Sequence, residues 1–131
     1  SHSLFIGFPL ENFLINKNKI KTCLEKRNFF NNDVINLSDQ AYIFFVISSL
    51  ISFYRSIVLG KVEKISGIKR FNEYSEEVVK NQEIVNSIKN YSISKNESSL
   101  IPLSIKYTSS FFLKISVKLR VKALLKLRRK N

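Results

Sequence analysis

Cysteine and histidine are almost absent from this sequence, which has one of each. Because Cys23 has no second cysteine to pair with, no internal disulfide can form, and we expect a reducing compartment. Since His2 is the only histidine, a metal site built from cysteines and histidines is excluded. The sequence therefore favours a function that needs no bound metal.

Glycine and proline are also scarce, at three and two of 131 residues. Folds with many turns or many strands use both residues heavily, so this scarcity favours long helices. The sequence also has no glycine-rich phosphate-binding loop and no nucleophile with a histidine base. We predict a mostly α-helical, non-enzymatic chain that has no compact globular core, no catalytic residue, no cofactor and no small-molecule substrate.

Acidic residues are missing from the last part of the chain. After Glu97 there is no aspartate or glutamate, although the chain as a whole has ten. Residues 100–131 are therefore predicted to be a basic C-terminal segment that faces an anionic partner. Its cations include Lys114, Lys118, Arg120, Lys122, Lys126, Arg128, Arg129 and Lys130.

The secondary structure of this basic segment is ambiguous in the sequence. Apolar and basic residues alternate over residues 114–122, KISVKLRVK, which is typical of a strand. Lysines also recur at every fourth position from Lys114 to Lys130, which is typical of one ridge of a helix. We favour the helix, and the strand remains the alternative.

Residues 41–54, between Gln40 and Arg55, carry no charge. Residues 41–59 would form a helix roughly 28 Å long, against a bilayer hydrocarbon thickness of about 30 Å. Ser38 and Asp39 are candidate N-caps, and Gly60 is a candidate C-terminal cap. We therefore predict a membrane-spanning helix over residues 38–60. The buried helix of a soluble domain is the alternative.

Two sets of residues within this segment have the pattern of a membrane helix. Small residues recur at every fourth position and predict a packing face for another helix: Ser48, Ser52, Ser56 and Gly60. Serine is common in this sequence, so the repeat also fits chance. Aromatic and basic residues near the two ends are predicted at the membrane–water interfaces: Tyr42, Tyr54 and Arg55.

A different apolar period follows Gly60. Apolar residues separated by alternating steps of three and four are interrupted by Asn81 and surrounded by charges. Such a narrow stripe favours pairing with one long partner helix. We predict a heptad-like helix over residues 61–99 with the stripe Phe71, Tyr74, Val78, Val85 and Ile88. Residues 1–37 are predicted to be a separate N-terminal segment with apolar and polar parts.

This order of segments resembles the b-type subunit of the peripheral stalk of the mitochondrial F-type ATP synthase, in its divergent organelle-encoded forms. The similar stretches are residues 35–60, INLSDQAYIFFVISSLISFYRSIVLG, and residues 111–119, FFLKISVKL. The resemblance implies a structural subunit that anchors the stator in the inner membrane. It also implies that the basic part lies on the matrix side, with other subunits and the bilayer, including its anionic lipids, as partners.

Two other classes of function fit the same residues. A protein of an organellar ribosome would bury the apolar segment and bind ribosomal RNA and neighbouring ribosomal proteins through its basic tail. A small soluble helical bundle that regulates another protein is the third class. We favour it least, because a helix that is apolar nearly all round needs more cover than so short a chain is expected to supply.

Overall fold

The computed structural model describes residues 32–93 and 97–130, together with the single residue Lys19, and it describes no side chains for residues 32–37, 129 and 130. The predicted N-terminal segment therefore lies largely outside the described residues. Those residues contain five helices and no strand, which confirms the mostly α-helical prediction. The helices are α1 (Asn32–Val58), α2 (Lys64–Lys80), α3 (Gln82–Ile88), α4 (Leu100–Lys106) and α5 (Ser110–Lys130).

Helix α1 is the central element, because α2, α3 and α5 all pack against it. One face of α1 is buried by these three helices, and its apolar side chains recur at steps of three and four as a helical face requires. It begins at Asn32, before the predicted N-caps Ser38 and Asp39, and ends two residues before Gly60. The buried apolar side chains of α1 are Tyr42, Ile43, Val46, Ile47, Leu50, Phe53 and Ile57.

The expectation that the chain has no compact core was wrong. Buried hydrophobic side chains from all five helices form one cluster around α1, among them Phe71 of α2, Ile84 of α3, Ile105 of α4 and Leu113 of α5. The sequence predicts that the apolar stripe of α2 pairs with a partner helix, and it assigns no packing partner to the apolar positions of α5. In the structure the same positions pack on α1 and cover one of its faces.

The predicted helix over residues 61–99 is divided in the structure. Asn81 has extended backbone angles, φ −75° and ψ 118°, and its side chain accepts a hydrogen bond from the backbone N–H of Ile84 at 3.1 Å. Asn81 thus ends α2 and caps α3, as asparagine often does at a helix N-terminus. The residues of the stripe on both sides of this break face the core. Phe71, Tyr74, Val78 and Ile88 are buried, and Val85 is half-buried.

The basic C-terminal segment is helical, which is the secondary structure that the sequence analysis favoured over a strand. Its buried positions Leu113, Ser116, Val117 and Val121 follow a helical period rather than the alternation of a strand. The shorter helix α4 precedes it and contains Pro102 in its first turn, where a missing backbone N–H breaks no helical hydrogen bond. Helices α4 and α5 pack closely, with Oγ of Ser104 3.2 Å from Oγ of Ser116.

Two glycines shape the connection between α1 and α2. Gly60 has φ 76°, a left-handed conformation that other residues adopt at a cost. Gly67 lies on α2 where the helices approach closely, since a Cβ atom placed there would be 3.0 Å from Cγ1 of Ile57. The first glycine allows the turn, and the second allows the two helices to pack together.

Substitution of Gly60 by valine is expected to lower the free energy of unfolding by about 1–2 kcal/mol, because a β-branched residue is strained at positive φ. No other atom lies within 4 Å of a Cβ built at Gly60, so the effect is that of the backbone alone. Gly60→Asn is the control, because asparagine tolerates this conformation better. Urea denaturation of the two variants measures the difference, and equal losses would contradict this explanation.

Candidate interaction surfaces

The face of α1 that points away from the core has exposed aromatic side chains and half-buried serines. Phe44 is 53% exposed and Phe45 is 56% exposed. The segment Ser38–Val58 has 21 residues and a mean hydropathy of 1.7, and it is long and apolar enough to cross a bilayer. Buried helices of soluble proteins pass the same test of length and composition. The structure buries one side of the segment, whereas Phe44 and Phe45 on the other side remain more than half exposed.

The predicted serine strip lies on this outward face. Ser48 and Ser52 are two positions before and after the buried Leu50, about 160° away around the helix axis. Both serines are half-buried, and around the helix axis they lie in the sector between Phe44 and Phe45. Oγ of Ser56 donates a hydrogen bond to the backbone carbonyl of Ser52 at 3.0 Å. Gly60 follows the end of α1 in a turn. The strip therefore consists of the three serines without Gly60.

The residues predicted at the membrane interfaces have different environments. Tyr42 is 4% exposed and lies in the core, since it shares the inward face of α1 with Val46. The ring of Tyr54 is half-buried, with its centroid 5.0 Å from that of Phe71. Arg55 is half-buried near the end of α1. Of these three residues, Tyr42 is buried in the core, whereas Tyr54 and Arg55 are partly accessible near the C-terminal end of α1.

The basic residues of α5 fall into two groups. Exposed cations occur at Lys118, Lys122, Lys126 and Arg128. Lys114 is half-buried, with Nζ 3.8 Å from Oε1 of Glu76 on α2, and Arg120 is also half-buried. The side chains of Arg129 and Lys130 lie outside the described residues. The predicted basic tail is thus a helix packed on the core, with Lys118, Lys122 and Lys126 on the solvent side.

A groove of about 400 Å³ lies between the end of α1 and the second half of α5. Its apolar lining is Val58 from α1 with Val121 and Leu125 from α5. Its polar lining is Tyr54 with Lys118, Lys122 and Lys126. The ammonium group of Lys118 is 6.0 Å from the centroid of the Tyr54 ring, within the range of a cation–π contact. We name this feature the α1–α5 groove.

Sequence reasoning missed this groove. The sequence indicates the lysines that line it, but not the residues of α1 that lie beside them. The lysines at positions 118, 122 and 126 form one ridge of a helix, which the spacing of four shows. Their proximity to Tyr54 and Val58 depends on the packing of α5 against α1, which no local pattern encodes. The exposed pair Phe111 and Phe112, whose ring centroids are 5.6 Å apart, was also not assigned to a site.

A buried polar junction joins α1 to the end of α3, and sequence reasoning missed it as well. Asp39 is 8% exposed and accepts hydrogen bonds from Oγ of Ser87 at 3.1 Å and from Nδ2 of Asn90 at 3.2 Å. The side chain of Gln40 also exchanges two hydrogen bonds with the backbone of Ser92. Because buried carboxylates need such partners, we interpret Asp39 as a structural residue that fixes α3 on α1.

The ionisable groups of the core offer little chemistry. Burial raises the pKa of the Tyr74 and Tyr91 hydroxyls, and the Tyr91 hydroxyl also bonds to Glu97, so both phenols stay neutral at physiological pH. Among the described side chains, no group of three or more histidines, cysteines, aspartates and glutamates is placed to hold a metal ion. The surfaces described above are suited to binding through cations and apolar side chains.

No family model, no curated protein and no solved structure matches this chain. The features of the chain that bear on its function are the outward face of α1, the lysines of α5 and the α1–α5 groove.

Proposed function

We propose that this chain is a non-catalytic structural subunit of an organellar inner-membrane complex, and specifically the b-like subunit that anchors the peripheral stalk of an ATP synthase. The observation that supports the proposal is the outward face of α1. Phe44 and Phe45 are more than half exposed there, within the uncharged residues 41–54. Large apolar faces on so small a chain are covered by lipid or by another protein.

The surroundings of α1 fit a stator anchor. The strip of Ser48, Ser52 and Ser56 allows close approach of another membrane helix, which in this complex is a helix of the proton-channel subunit. The lysines of α5 lie beside the C-terminal end of α1, at Tyr54 and Val58. Cations at one end of a span are retained on the inner side of the membrane, so this end faces the matrix.

For α1 to insert into the bilayer, α2 must separate from α1. Helix α2 packs along α1 and has Lys69, Arg70 and Glu73 exposed on its other side. A charged side chain costs roughly 2.5–3.5 kcal/mol at the centre of a membrane helix, so α2, which packs along α1, cannot accompany it into the bilayer. Lys118, Lys122 and Lys126 of α5 lie instead beside Tyr54 and Val58, at the end of α1. In the proposed complex the α1–α2 hairpin opens between Gly60 and Glu63. The stripe of Phe71, Tyr74 and Val78 then packs on other stalk helices instead of α1.

A disulfide across the hairpin tests this opening. In a Cys23→Ser background, the pair Ile57→Cys and Gly67→Cys places two thiols where α1 and α2 approach closely. We expect the disulfide to form in the isolated chain and not to form in the chain assembled in its native membrane. Carbonate-washed membranes, treated with an oxidant and analysed on non-reducing gels, provide the measurement.

The control pair is Ser104→Cys with Ser116→Cys in the same background. Helices α4 and α5 stay packed in both arrangements, and these two hydroxyl oxygens are 3.2 Å apart, so this disulfide should form in both samples. Complete release of the chain by carbonate would contradict the proposal. Efficient closure of the 57–67 disulfide in the assembled chain would contradict it as well.

A second function is favoured by the exposed lysines of α5. Lys118, Lys122, Lys126 and Arg128 lie on the outside of a compact helical core, and binding of ribosomal RNA needs no opening of that core. Such binding should weaken with salt in proportion to the number of phosphates contacted. Sedimentation of the chain with ribosomal subunits, abolished by ribonuclease, would support this function and reject the stator.

A further inference from the structure

We propose that the α1–α5 groove is a binding site for one anionic phospholipid, with its phosphate on the lysines and its glycerol and first acyl carbons on the apolar lining. This inference rests on the proposed membrane function and adds a specific ligand to it. The described residues that line the groove come from α1 and α5, and none of them comes from α2.

The charges of the groove select an anion. Lys118, Lys122 and Lys126 lie along one ridge of α5 with roughly 6 Å of helix rise between successive members. Of the described residues that line the groove, three are lysines and none is acidic. The contact of Lys118 with the Tyr54 ring holds one ammonium group at the mouth of the groove. A phosphodiester bound here is within reach of more than one lysine.

The apolar lining selects an anion with a hydrocarbon part. Val58, Val121 and Leu125 face the same space as the lysines, and Val58 is 50% exposed. A free phosphate or a sugar phosphate would leave this apolar surface unused. An RNA strand would contact the lysines but has little to place against valine and leucine. Among the described lining residues, Tyr54 is the one aromatic ring available for base stacking. A phospholipid uses both parts of the groove.

The position of the groove matches the level of lipid headgroups. Val58 is the last residue of α1, and Tyr54 lies one turn before it. If α1 spans the bilayer, this end lies where the hydrocarbon gives way to headgroups, on the side with the basic residues. Anionic lipids concentrate their charge at this level, where each nearby lysine adds to the attraction.

The test is the lipid selectivity of the full chain reconstituted in vesicles made of equal parts of phosphatidylcholine and phosphatidylglycerol. Spin-labelled forms of each lipid report the fraction held immobile by the protein. We expect phosphatidylglycerol to be preferred over phosphatidylcholine by roughly tenfold or more, as three lysines imply. The triple variant Lys118→Gln, Lys122→Gln, Lys126→Gln should reduce the preference to about one.

The matched control is Lys64→Gln, Lys69→Gln, Lys80→Gln on α2, which removes the same charge from exposed positions outside the groove. This variant should keep the preference. A second pair tests the apolar lining. Val58→Asn should weaken the selective binding severalfold, whereas Leu59→Asn, exposed but outside the lining, should not. Glycerol phosphate added in excess should not displace the labelled lipid.

Several results would overturn the inference. Equal losses in the two triple variants would mean that the lipid senses only the net charge of the chain. Displacement by glycerol phosphate, or by RNA with the same dependence on the three lysines, would assign the groove to another ligand. Insertion without any preference would reject the lipid site and leave the stator proposal standing. Absence of an immobile fraction for both lipids would show that α1 does not insert, and would reject both.

Discussion

Replacement of Phe53 by alanine is expected to lower the free energy of unfolding of the isolated chain by about 3–5 kcal/mol. Phe53 is 1% exposed, and its ring packs 6.3 Å from that of Tyr74, between centroids. Removal of the ring leaves a cavity between α1 and α2 that the surrounding helices cannot fill. Urea denaturation followed by circular dichroism measures the loss.

The control for this prediction is Phe44→Ala, the same substitution on the same helix. Phe44 is 53% exposed, so its removal should change the free energy of unfolding by only about 0.5 kcal/mol or less. In the native membrane the order should reverse, because Phe44 then faces lipid or another subunit, and its loss should reduce the assembled fraction. Similar effects of the two substitutions on the isolated chain would contradict the core described here.

Replacement of Leu113 by alanine is expected to cost about 2–5 kcal/mol, because its side chain is fully buried where α5 meets the core. The control is Leu119→Ala on the same helix, where the side chain is 53% exposed. A small change is expected there, within roughly 0.5 kcal/mol.

The comparison of Leu113 with Leu119 also separates the two secondary structures that the sequence allowed. Six positions apart on a strand, both leucines would lie on the same face, since side chains alternate with a period of two. On a helix they lie about 120° apart, so one is buried and the other exposed. Equal losses of stability would therefore favour a strand over residues 111–127 and contradict the packing of α5.

The sequence was most informative where the pattern is local. The scarcity of glycine and proline correctly indicated long helices, and the spacing of Lys118, Lys122 and Lys126 correctly indicated that α5 is a helix. The stripe of Phe71, Tyr74 and Val78 was correctly identified as an apolar face. In each case the signal lies within a few turns of one element, where the geometry of a helix fixes which residues share a side.

The sequence was least informative where two elements meet. The same apolar stripe fits a partner helix and fits α1, because burial depends on apolar area and not on which chain supplies the cover. Asn81 could lie within a continuous helix or cap a new one. Which of the two forms depends on whether α3 packs against α1. The buried contacts of Asp39 with Ser87 and Asn90 join residues far apart in the chain, and no spacing rule relates them.

By itself, the sequence determined a helical chain with an uncharged central segment, an amphipathic stripe and a run of cations without acids. These properties follow from composition and from the period of one helix at a time. Only the tertiary structure decided that α2, α3 and α5 cover one side of α1, that Phe44 and Phe45 stay outside, and that three lysines meet Tyr54 and Val58 in a groove. The physical reason is that packing is set by the combined shapes and apolar areas of several helices, which compete for the same partner surface.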